Sequence, residues 1–66
     1  MKMYTVMEHD ADLNGDTLSF YISAIVGDSR GSVSYEVPVS NHYDALMSDI
    51  RHKREQAMIR LMGALL

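Results

Sequence analysis

Asn14-Gly15-Asp16-Thr17-Leu18-Ser19-Phe20-Tyr21-Ile22-Ser23-Ala24-Ile25-Val26-Gly27-Asp28 places a turn signal, an alternating run and a second turn signal in one stretch. Asn-Gly supplies positive φ at both central positions of a type I′ turn, so Asn14-Gly15 predicts a two-residue hairpin loop. That loop would pair Leu18 with Ala11, Phe20 with His9, Ile22 with Met7 and Val26 with Met3. The even residues of the second strand, Leu18 to Val26, then share an apolar face with Met3, Met7, Ala11 and Leu13.

Downstream, Gly27-Asp28-Ser29-Arg30-Gly31 reads as the next break, with Arg30 at a loop tip. Val33, Tyr35, Val37 and Val39 alternate with Ser32, Ser34 and Glu36, which is a third strand. A four-residue loop at 27–30 would set Phe20 opposite Val37 and Ile22 opposite Tyr35. Pro38 cannot donate to a ladder, so this strand belongs at an edge. Asn41 and Asp44 resemble a capping box and predict a helix from His42 to Ala64. At 100° per residue, Tyr43, Leu46, Met47, Ile50, Ala57, Leu61, Ala64 and Leu65 form one stripe. The result is an α+β fold, a three-stranded antiparallel β-meander packed on one face by a long C-terminal α-helix (βββα), with residues 1–66 as a single domain.

Two features disturb the helical stripe. Arg54 lies inside it, and Met58, Ile59, Met62 and Leu66 make a second apolar face in the last two turns. One sheet face cannot cover both, and a 23-residue helix of about 35 Å outruns a nine-residue strand of about 30 Å. The C-terminal end of the helix is therefore expected to overhang and to present Met58, Ile59, Met62 and Leu66 as a homodimer or partner interface.

Size supports self-association. A chain of 66 residues buries only about 60% of its unfolded surface, and domains this small usually need disulfides, metal or oligomerisation. The absence of cysteine excludes disulfides and thiol chemistry and fits a reducing compartment. The first residues hold no apolar run suited to a signal peptide or a membrane span, so a cytoplasmic location and no membrane partner are expected.

Charge is divided unevenly about the total of −3. Residues 1–49 hold eight acids (Glu8, Asp10, Asp12, Asp16, Asp28, Glu36, Asp44, Asp49) against two bases, and residues 50–66 hold four bases against Glu55 alone. The outward sheet face, read as Glu8, Thr17, Ser19, Tyr21, Ser23, Ser32, Ser34 and Glu36, has almost no cations. Phosphate contacts need lysine and arginine, so DNA binding through the sheet is disfavoured. The run Arg51-His52-Lys53-Arg54 keeps a nucleic-acid-associated regulator as the alternative function, and a small structural subunit is a third. An acidic sheet could instead occupy a basic groove on another protein.

No motif carries catalysis. Asp10-Ala11-Asp12-Leu13-Asn14-Gly15-Asp16 matches the first half of a calcium loop, but Tyr21 stands where the bidentate acid belongs. His9, read as inward-facing, His42 and His52 lack metal-ligand spacing. No serine sits in a nucleophile-elbow context, and Gly27 and Gly31 lack the lysine of a phosphate loop. No cofactor and no enzyme activity are expected. Asp10, Asp12, Asp16, Tyr21 and Arg30 are the candidate target contacts.

A short sheet followed by Lys53-Arg54-Glu55-Gln56 and an end of Met58, Ile59, Leu61, Met62 and Leu65 resembles the DicB-type prophage cell-division inhibitors over the last 45 residues or so. In size and acidity the chain is similar to phage accessory inhibitors more broadly, including anti-CRISPR and other anti-defence proteins. The resemblance implies a non-enzymatic regulator that acts by binding a host protein.

Overall fold

Two glycine-led turns set the sheet. In a computed structural model, which describes residues 3–66, β1 (Tyr4–Glu8), β2 (Asp12–Asn14), β3 (Thr17–Val26) and β4 (Ser29–Pro38) precede one helix, α1 (Tyr43–Leu65). All strand pairings are antiparallel, and β3 is central. β4 pairs with β3 along its whole length, from Val26↔Ser29 to Thr17↔Pro38. β1 and β2 pair with the other edge of β3. The architecture is the α+β arrangement of a meander and a helix, with four strands where three are expected, because the first strand is broken.

The turns differ from the expected ones. Asn14 pairs with Thr17 and Val26 with Ser29, so the loops are Gly15-Asp16 and Gly27-Asp28. Gly15 (φ 60°) and Gly27 (φ 59°) take the left-handed conformation, while Asn14, Asp16 and Asp28 do not. Glycine with positive φ at the first central position alone is the type II′ pattern. Both registers next to these turns shift by two residues from the expected ones, so parity survives. Leu13 faces Leu18, Phe20 faces Tyr35 and Ile22 faces Val33.

Parity does not survive in the first strand. β2 holds Asp12 opposite Ser19, whereas β1 holds Glu8 opposite Ile22, and His9 N–H still donates to Tyr21 C=O at 3.0 Å. Asp10 and Ala11 are thus two residues set against Phe20, which is a β-bulge. One extra residue turns every β1 side chain to the opposite face. Val6, opposite Ala24, faces the helix and packs on the core, while Met3 and Met7 are exposed on the outer face. Glu8 moves inward and His9 outward by the same step.

The core is small. Ile22, Ala24, Val26, Val37, Ala57 and Leu61 are the buried apolar residues among those described. Val6, Val33, Tyr35, Met58, Met62 and Leu65 pack around the cluster of Ile22, Ala24, Ala57 and Leu61. The helix runs back along β4, with Ile50 beside Phe20 and Tyr35 and with Leu61 and Leu65 over Gly31. A Cβ at Gly31 would lie 3.3 Å from Leu65 Cδ2 and 3.4 Å from Leu61 Cδ1, so glycine lets α1 approach β4 here. His42, not Asn41, takes the N-cap position, and its N–H donates to Ser40 Oγ at 3.1 Å.

The overhang is at the other end from the expected one. No residue before Ala57 in α1 is fully buried. Tyr43 and Met47 are exposed, and Leu46 and Ile50 are half-buried. Met58 and Met62 pack on the core, so the expected free C-terminal face contracts to Ile59 and Leu66, at 71% and 77% exposure. Ala64 also leaves the stripe and is exposed.

Candidate interaction surface

The packed and open parts of the helix side meet at an ion pair. Arg54, the cation inside the apolar stripe, reaches across to Glu8, which the bulge turns toward the helix, and its Nε–H donates to Glu8 Oε1. Two polar residues that would each disturb an apolar face satisfy one another. The hydrogen bond from Arg54, reinforced by its charge, holds the Glu8 carboxyl below its ordinary value. The same pairing raises Arg54. Burial, helped by the Glu8 charge, pushes the Tyr35 hydroxyl up.

Beyond that pair, toward the Gly15-Asp16 turn, the helix side stands open. A cleft of about 290 Å³ includes Phe20, Tyr35 and Ile50 with the Glu8–Arg54 pair among its walls. Phe20 and Tyr35 stack with centroids 4.9 Å apart and planes 6° from parallel. Leu13 and Val39 are exposed on the helix-facing side of the sheet at this end, as are Tyr43 and Met47 on the helix. They make an apolar surface at the end where sequence reasoning expected cover. The bulge takes Met7 away from this face, and nothing in the composition of Asp10-Ala11 announces it.

The outer sheet face holds part of the expected target-contact set. Tyr21 and Arg30 line one shallow depression of about 320 Å³ with Met7 and Ile25. Arg30 is a β4 residue opposite Ile25, not a loop tip. Asp12 lies on this same face opposite Ser19, whereas Asp10 sits in the bulge and Asp16 in the turn, so the expected contacts divide between two ends of the sheet. Asp10, Asp12 and Asp16 do not converge as a ligand cluster, and no three His, Asp or Glu side chains do so among the described residues.

His9, on the outer face, lies with Nε2 3.3 Å from Ser23 Oγ and its ring 4.6 Å from that of Tyr21.

Of the basic run, Arg54 is committed to Glu8, and His52 pairs along the helix with Gln56 at 3.2 Å. Lys53, Gln56 and Arg60 overlook a groove of about 440 Å³ against Val33–Glu36 at the free edge of β4. No helix among the described residues is long and apolar enough to cross a membrane.

The extent of uncovered surface is large for the mass. A folded chain of 7.5 kDa exposes about 4,250 Å² on the usual scaling, and this one exposes 5148 Å². Its radius of gyration of 13.3 Å likewise exceeds the ~11 Å of a compact 66-residue domain. Compared with known families, curated proteins and solved structures, the chain matches none.

Proposed function

We propose that the protein is a non-enzymatic binding regulator, an inhibitor of the phage-accessory kind that works by occupying a surface on a host protein. The observation that carries this reading is the open apolar end, where Leu13, Tyr43 and Met47 stay exposed while six apolar residues are buried among those described. Exposed apolar surface in a small domain costs solubility and is retained where a partner covers it. The acidic turn beside it, Asp10 to Asp16, would add charge steering toward a basic partner. Tyr21 and Arg30 on the outer face are the second candidate contact.

The test is capture from the host with tagged protein, followed by mapping of the captured protein's cross-links. The cross-links are expected at the open end, and Leu13→Asp combined with Met47→Asp is expected to abolish capture while the far-ultraviolet circular dichroism stays that of the parent. Failure of the parent to hold any host protein, or capture that survives both substitutions, overturns the reading.

A further inference from the structure

We propose that the free edge of β4 is the pairing edge of a homodimer, in which two copies join antiparallel about a two-fold axis at Val33 and continue one sheet through both. Val39 N–H donates to Asp16 C=O across the β3–β4 ladder, so the odd residues of β4 are the ones that exchange hydrogen bonds with β3. The even residues, Arg30, Ser32, Ser34 and Glu36, therefore turn both N–H and C=O toward the open edge. β4 is ten residues long, and the one edge-blocking residue in it, Pro38, stands at its end. Long free edges of this kind are what natural sheets shorten, charge or cover.

Two independent features select one register. An edge on which only even residues offer hydrogen bonds must pair even with even. Among such registers, the one centred on Val33 sets Arg30 opposite the partner's Glu36 and Ser32 opposite the partner's Ser34, so all four free N–H groups find carbonyls. On the outer face it also pairs the charges of the strand, while Lys53 and Arg60 overlook the same edge from the helix side. Arg30 and Glu36 are the only charged residues of β4, they lie three positions either side of Val33, and they share the outer face. The symmetry makes two facing opposite-charge pairs at once. Moving the axis to Ser32 or Ser34 loses the charge pairing, and the Ser34 axis also sets Arg30 against Pro38, which has no N–H to give.

The surface balance agrees. The chain exposes 5148 Å², in excess of the usual value by about the ~800 Å² that each partner buries in a standard interface. This dimer uses neither Ile59 nor Leu66; it shares Arg30 with the second candidate contact of the target-binding reading, but the test variants of that reading, at Leu13 and Met47, lie away from the β4 edge.

Sedimentation equilibrium from about 1 to 500 µM tests it. The parent is expected to dimerise in that range. Arg30→Glu and Glu36→Arg, each of which places like charges opposite one another twice, are expected to weaken the dimer about tenfold or more. The double variant, Arg30→Glu with Glu36→Arg, recreates the pairs with signs exchanged and is expected to return to within about threefold of the parent. Amide exchange gives a second readout: protection of Arg30, Ser32, Ser34 and Glu36 should rise with protein concentration. A parent that stays monomeric throughout, a dimer indifferent to the single exchanges, or a double variant no better than the singles overturns the proposal. So does edge protection that appears only when an extended peptide is added.

Discussion

Residues 43–53 and residues 57–65 of α1 both carry apolar side chains at helical spacing, Leu46, Met47 and Ile50 in one half and Ala57, Leu61 and Leu65 in the other, yet only the second half is packed. The difference lies beneath them. Under the second half the sheet offers Ala24 and Gly31, and the helix contributes Ala57, so the backbones come close and Leu61 fills the space between. Under the first half lie the stacked rings of Phe20 and Tyr35, and a cleft remains beside Ile50. Small residues at a helix–sheet contact decide where a short hydrophobic stripe is used, more than the stripe itself does.

The most severe way to break this contrast is to hollow out the packed half. Leu61 is 4% exposed and belongs to the core cluster, so Leu61→Ala is expected to cost about 2–5 kcal/mol. A domain of this size has only about 3–10 kcal/mol in total. Leu46→Ala, the same chemistry on the half-buried part of the same helix, is expected to cost less than half as much. Urea unfolding of the two variants checks this, and equal losses would mean that the open half is as firmly packed as the other.

A substitution in the sheet probes the close approach itself. Gly31→Val puts branched atoms where even a Cβ is within 3.4 Å of both Leu61 and Leu65. Overpacking of this kind costs about 1–3 kcal/mol. The expected loss should appear in thermal unfolding and should come with increased amide exchange over residues 57–65. A neutral or stabilised Gly31→Val would show that the helix is free to lift without penalty.

The two turns provide an internal control. Gly15 closes the hairpin at the open end and Gly27 the one at the packed end; both have positive φ, and neither has an atom within 4 Å of a would-be Cβ. Alanine at either site therefore meets backbone strain alone, about 1–2 kcal/mol. Equal losses on calorimetry would mean that both hairpins unfold with the whole domain. A smaller loss for Gly15→Ala would place the open end in a separate, weaker unit.

Much of this was legible from residue types. The alternation from Leu18 to Val26 and from Val33 to Val37 assigned the strands, and a two-residue error at each turn left the faces intact because side chains repeat every two residues. The helix was displaced by one residue, since Ser40 and His42 share the start that Asn41 was expected to cap. The first strand was harder. Met3 and Met7 compete with Tyr4 and Val6 as apolar sets, so neither face is specified locally, and the bulge at Asp10-Ala11 that decides between them has no composition of its own. Two other errors follow from that bulge, the outward placement of Glu8 and the inward placement of His9. The candidate site was less legible than the fold. The surplus of apolar residues was visible, but which end of the helix would expose it depended on Gly31 and Ala57 meeting across layers far apart in sequence.

The smallest expected effect lies at the boundary between the two halves, where Arg54 holds Glu8. Arg54 keeps the Glu8 carboxyl below its ordinary value near 4.5. A carboxyl whose folded value is lowered contributes stability that is present above the unfolded value and is lost as pH falls through the folded one. Both side chains are 49% exposed, so the contribution should be that of a solvent-screened pair, about 0.2–1 kcal/mol. Comparing parent with Glu8→Gln by urea unfolding, the difference should be constant near neutral pH and shrink as pH falls below the ordinary carboxyl value near 4.5 and the parent carboxyl is protonated. High salt should shrink it at neutral pH as well. If Glu8→Gln kept the parent's full acid sensitivity, the ion pair would contribute nothing to it and would no longer mark the point where packing gives way to open surface.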